Sequence, residues 1–171
     1  MKRLLSYSQV GAVFALAAIT LFGLASTLLA DPVKEAKELV TAYYAAAKAE
    51  NWEAVYLQFD SDAEISVTTD YGYGAPASTA SFTVSEWNSL PEPDYTPEQR
   101  AFLAQYTELS RTVEIIEAKE TEGGVQVRAL QSIRYKTPQY EGTSTEADSF
   151  LVTRNFGQSV IRSFTSTHTF K

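Results

Sequence analysis

The sequence contains no cysteine, one histidine and no cluster of lysine or arginine. The missing cysteines exclude a disulfide framework and a lipid anchor attached through sulfur. With His168 as the only histidine, the usual zinc ligand sets are excluded as well, and the acidic residues do not follow a calcium-loop spacing. No glycine-rich loop is built to cradle a phosphate. Gly123-Gly124 reads as a hairpin turn, and Gly72 and Gly74 lack the lysine that a nucleotide loop needs. No serine stands in a nucleophile motif with a histidine partner. The sequence therefore implies no metal and no cofactor.

The charge balance is acidic, with 14 basic and 21 acidic residues. Such a surface repels the phosphate backbone, so nucleic acid is not an expected partner. Lys34, Lys37 and Lys48 read as a solvated helix face rather than a binding patch.

What is present begins with a positive start, Met1-Lys2-Arg3, followed by a run from Val10 to Ala30 without a charged residue. That order is expected of a segment that directs export, with the basic end retained inside. Leu28-Leu29-Ala30 and Gly23-Leu24-Ala25 each offer a small residue before a cut. The run is also about as long as a bilayer-spanning helix. Residues 1–30 are accordingly expected to be a signal peptide or an N-terminal membrane anchor, with membrane contact only through residues 4–30 if the segment is uncleaved. The expected location is periplasmic or secreted, or anchored with the domain outside the cytoplasm. Residues 31–171 have the length of one ordinary domain.

Asp31-Pro32 suits a helix start, since Asp accepts free N–H groups and Pro fits the first turn. Val33, Ala36, Val40, Tyr43, Tyr44 and Ala47 follow at helical spacing. Asn51 caps a second short helix through Phe59. Ala63, Ile65 and Val67 then alternate with polar residues as a first strand. Between residues 77 and 95, Thr83 to Glu86 fits a capping box and Ser81 to Val84 fits a short strand. Thr96-Pro97 predicts a third helix with Phe102, Leu103, Tyr106 and Leu109 on its apolar face. Beyond it the period becomes two. Val125, Val127, Ala129, Gln131, Ile133 and Tyr135 share a face. So do Phe150 and Val152, and a last strand places Val160, Arg162, Phe164, Ser166, His168 and Phe170 on one side. The order predicts an α+β fold, with N-terminal helices packed on an antiparallel sheet.

The segments VKEAKELVTAYYAAAKAENWEAVYLQFDSDAEISV and FLVTRNFGQSVIRSFTSTHTF resemble the nuclear transport factor 2-like superfamily, including its SnoaL-like and ketosteroid-isomerase-like branches. The first is similar to that family's opening helices and first strand, the second to its closing hairpin. The turn Gly157-Gln158-Ser159-Val160-Ile161 lacks the tryptophan often found there. The resemblance implies a cone-shaped fold with a strongly curved antiparallel sheet over the helices and a pocket at the open end. It also implies a base just after the first strand, where Asp70 stands, and a tyrosine donor at Tyr43 or Tyr44. The second acid of the isomerases has no counterpart in either row of the strand at Val125–Leu130. The paired histidines of the dehydratases are reduced to His168.

Asp70, Tyr44 and His168 are therefore the candidate catalytic residues. Tyr43, Tyr71, Tyr73, Trp87, Arg134 and Arg162 are candidate pocket or rim residues. Each has a plainer role as well: Asp70 as the cap of the Tyr71-Gly72 turn, His168 as a strand residue, and the arginines in cross-strand pairs. The expected function is a noncatalytic ligand-binding or protein-interaction module, taking a small apolar or cyclic molecule. The alternative is a cofactor-free isomerase or dehydratase working by proton transfer. Ile116, Leu130 and Ile161 suggest a homodimer through the outer face of the sheet.

Overall fold

Asp31 and Pro32 start the first helix, α1 (Pro32–Lys48), which buries Ala36 and Val40 and half-buries Val33, Leu39, Tyr43 and Tyr44. Its outer face carries Lys34 and Glu38, which pair at 3.9 Å. Asn51 caps α2 (Trp52–Tyr56) by accepting the Ala54 N–H at 3.2 Å. These elements come from a computed structural model that describes residues 31–70, 76–87, 89, 96, 97, 101 and 104–170. The expected export segment 1–30, Tyr71 and Tyr73 lie outside the described residues, as do Phe102 and Leu103 of the expected third helix.

Six strands follow: β1 (Phe59–Asp70), β2 (Ser78–Thr83), β3 (Thr107–Thr121), β4 (Gly124–Lys136), β5 (Glu141–Asn155) and β6 (Gln158–Phe170). The short helix α3 (Val84–Trp87) leaves the end of β2. Both readings of that stretch hold, one after the other. The strand ends at Thr83, and Thr83 opens the capping box. Its N–H donates to Glu86 Oε2 at 2.7 Å, and the Glu86 N–H donates to Thr83 Oγ1 at 3.4 Å. Leu109 is not helical. Thr107 and Glu108 pair with Lys136 and Tyr135, and this ladder draws Leu109 into β3 despite its helical spacing from Phe102 and Tyr106.

The sheet order is β2-β1-β6-β5-β4-β3. The expected strongly curved antiparallel sheet is corrected on two points. The sheet is mixed, because β1 runs parallel to β6 while the other pairs are antiparallel. It is also open, with β2 and β3 as edges, and is neither closed nor strongly curled. The physical reason is order: β3 to β6 form a meander, and its last strand returns beside β1 in the same direction. Alternation along a strand says which face a residue takes but not which strand lies next to it.

α1 packs against β3, β4 and β6. Under it, Val127, Phe150, Phe164 and Ile65 form one cross-strand row and Val125, Val152, Ile161 and Phe59 another. Ile161 and Phe164 both face this core because the β5–β6 register slips between Leu151 and Val152. The slip overturns two expectations. Arg162 does not share the face of Phe164 but stands exposed, 3.6 Å from Asp60. Ile161 is fully buried rather than an outer-face contact.

Gly124 opens β4 at φ +138°, and an added Cβ would fall inside contact distance of the Val152 carbonyl oxygen. Both strain and overlap oppose any side chain there. Gly124→Ala is expected to lower unfolding free energy by about 1–3 kcal/mol, as read by urea denaturation. A variant as stable as the parent contradicts this packing.

Candidate functional site

The inner face of the sheet changes character along its strands. Past the Phe150 row, the next row reads Ile115, Ala129, Asp148, Ser166 and Val67. The one beyond reads Val113, Gln131, Glu146, His168 and Thr69. Two carboxylates, an amide, a hydroxyl and the only imidazole thus stand together on three neighbouring strands. Strand alternation places Asp148 and Glu146 on the face of Phe150.

The second half of α1 lowers two phenols onto this boundary. The rings of Tyr43 and Tyr44 lie 5.2 and 5.9 Å from that of Phe150, edge to face. The Tyr44 hydroxyl donates to Asp148 Oδ2 at 2.5 Å. Burial, and then the charge of Asp148, push both phenols far above their ordinary range. Both shifts favour the protonated phenol, and in the Tyr44–Asp148 contact the hydroxyl is the donor.

Asp148 is 4% exposed. Burial raises its carboxyl above the ordinary aspartate value, while hydrogen bonding from the Ser166 and Tyr44 hydroxyls and the charge of His168 pull the other way. Its Oδ1 has no hydrogen-bond partner among the described residues, and neither has the buried Nε2 of His168. That nitrogen stands 3.6 Å from Glu146 Oε1. Burial raises Glu146 too, and the neighbouring Asp148 adds to the rise. The Phe170 ring packs over His168 at 4.4 Å between centroids.

Behind Glu146 the network continues. Gln131 Nε2 donates to Glu146 Oε2, and Gln131 Oε1 accepts from Arg111 Nη1 at 3.3 Å. Arg111 is forked onto Glu108, with its shortest contact at 2.6 Å. Among the described residues no group of three or more acidic, histidine or cysteine side chains could hold a metal ion. Grooves of about 320 Å³ beside Pro32 and Arg154 and about 390 Å³ along Glu64 and Ser81 lie elsewhere, without Asp148 or His168 in their linings.

Of the residues expected from sequence, Tyr44 and His168 belong to this network, and Tyr43 packs directly beside it. Asp70 does not. It pairs with Thr169, one position out of phase with the Thr69–His168 pair, and so takes the opposite face of β1. Trp87 packs on Tyr56 and Phe82. Arg134 is exposed, out of phase with buried Ile133 and Tyr135, and Arg162 faces Asp60. Sequence reasoning missed Asp148 and Glu146 as site residues. Counting back by twos from Phe150 would have reached both. Gln131 was already on the inward row, but nothing in its neighbours marks it as functional.

No family model matches the chain, and no curated protein matches it. Solved structures do. A ketosteroid isomerase-like protein from Erwinia carotovora atroseptica matches with a TM-score of 0.52 and 13% identity, over 81% of this chain and 96% of that one. An NTF2-like protein with a cystatin-like fold from Novosphingobium aromaticivorans gives 0.48 and 14%, over 96% and 91%. A putative polyketide cyclase from Xanthomonas campestris pv. campestris gives 0.44 and 18%, over 80% and 92%. The chain has the fold of that ketosteroid isomerase-like structure, a nuclear transport factor 2-like fold, and the resemblance read from the sequence holds at that level.

Proposed function

We propose that the chain is a small cofactor-free enzyme that moves a proton within a small cyclic molecule, as an isomerase or a dehydratase. The carrying observation is that two of the three buried side-chain atoms without a hydrogen-bond partner among the described residues, Asp148 Oδ1 and His168 Nε2, share one face of adjacent strands beside Tyr44, the third being Gln58 Oε1 and the nearest carboxylate to Nε2 being Glu146 at 3.6 Å. Buried polar atoms are nearly always paired, and an exception is costly unless something uses it. A site that only held an apolar ligand would gain nothing from two buried carboxylates and an imidazole. This turns the reading from a noncatalytic module to the acid–base alternative.

In this reading Tyr44 holds one oxygen of Asp148, leaving Oδ1 to take a proton from a carbon next to a carbonyl. The C–H electron pair moves towards the carbonyl oxygen. His168, 3.6 Å from Glu146, delivers a proton at a second carbon, and exchange with water then takes the proton from Asp148 and restores the one on His168. A carboxyl raised by burial is a stronger base once ionised, which suits this task.

The test is hydrogen–deuterium exchange into a panel of cyclic ketones in D₂O, followed by proton NMR. At least one ketone should exchange next to its carbonyl faster with the protein than in buffer. A panel that exchanges at the buffer rate throughout contradicts the proposal.

A further inference from the structure

Gln131 is 4% exposed and touches both a cation and a carboxylate. A guanidinium has only donors and a carboxylate only acceptors. The amide therefore has one workable orientation, with Oε1 towards Arg111 and the NH₂ group towards Glu146. Arg111 cannot turn away easily, because three of its contacts go to Glu108, at 2.6, 3.1 and 3.2 Å. The sequence of contacts Glu108, Arg111, Gln131, Glu146 and His168 crosses β3, β4, β5 and β6 in order.

We propose that Gln131, locked by Arg111, is a positioning residue that fixes Glu146 as a hydrogen-bond acceptor facing His168. The proposal rests on the acid–base reading of the site and adds to it the device that orients the Glu146–His168 pair. With one oxygen occupied by the Gln131 amide, Glu146 presents the other, Oε1, to the imidazole. The other groups facing Glu146 are Asp148 on its own strand, Arg111 from β3, Tyr106 just before β3, and Tyr43 and Tyr44 from α1. Burial, and after it Asp148, opposes ionisation of Glu146. His168, Gln131 and Arg111 favour it. Removing Gln131 takes away a donor to the charged form and leaves the opposing influences in place.

The experiment uses the full chain labelled with ¹³C at glutamate side chains, without substrate. The Glu146 carboxyl signal is identified by its loss in Glu146→Gln. In Gln131→Leu its titration midpoint should rise by about one pH unit. In Arg111→Met, which leaves the amide free to turn, it should rise by less. The lone histidine reports in the same samples, and its ring signals should move in both variants at one fixed pH. An unchanged Glu146 midpoint in the folded variants overturns the proposal. If Gln131→Leu does not fold, Arg111→Met decides alone, since its side chain is partly exposed and outside the core. These titrations need no turnover. A failed exchange assay therefore leaves them readable, and unmoved midpoints leave exchange intact.

Discussion

Asp148→Asn should cut exchange activity by about 10²–10⁴-fold while making the protein more stable at neutral pH. The activity loss follows from chemistry. An amide oxygen can still accept the Tyr44 hydroxyl, but it cannot take a proton from carbon. The stability gain follows from burial. In the unfolded chain an aspartate ionises near 3.8, whereas in the folded protein burial holds the Asp148 carboxyl above that value. Between the two, the folded state keeps a proton that the unfolded state releases. Stability therefore falls as pH rises through this window, and the full penalty remains above the folded pKa. The uncharged amide of Asp148→Asn escapes it. The variant and parent should have equal thermal stability well below pH 3.8 and diverge as pH rises, the variant unfolding at higher temperature. Glu146 shares the sign and stays in the variant, so some fall with pH should persist. A variant less stable than its parent at neutral pH contradicts this, and so does one that keeps full activity. Stability yielded to function at a buried charge is a familiar trade.

The second large effect is structural. Phe150 is fully buried and its ring lies 4.9 Å from Phe164, 5.2 Å from Tyr43 and 5.9 Å from Tyr44. Phe150→Ala removes the centre of that cluster and leaves a cavity under α1. The expected loss is about 3–5 kcal/mol, a large share of the roughly 5–15 kcal/mol that holds an ordinary domain together. Urea denaturation should show the midpoint collapsing. Phe156, fully exposed in the β5–β6 turn at φ 49°, is the contrast. Its replacement by alanine should change stability by less than about 0.5 kcal/mol. Similar losses at the two positions would mean that the aromatic cluster does not carry the core. Tyr44 rests on Phe150, so partial folding of Phe150→Ala should also loosen the Tyr44–Asp148 bond.

Much of the fold was legible because burial leaves a period in the sequence. Val125, Val127, Ala129, Gln131, Ile133 and Tyr135 alternate on paper and share the inner face in the structure. The parallel β1–β6 pairing left no such trace, since strand order depends on contacts far apart in the chain. Arg162 was placed on the wrong face because a one-residue slip inverts every side chain before it, and nothing local announces that slip. The site was half legible. Tyr44 and His168 stood out by type and by resemblance. Asp148 and Glu146 did not, because an acid between Thr145 and Ser149 looks like solvated strand surface until Phe150 fixes its face. Asp70 was chosen for its place after the first strand, but its register turns it away.

In the proposed mechanism, burial beside Tyr44 makes Asp148 a proton acceptor of raised basicity. Carbon-13 NMR of the Asp148 carboxyl across a pH series, its signal identified by loss in Asp148→Asn, tests that most directly. The midpoint is predicted to lie clearly above 3.8. A midpoint at or below 3.8 would contradict the account, because an ordinary or stabilised carboxylate there would be a solvated or salt-bridged group and not a base waiting for a substrate proton.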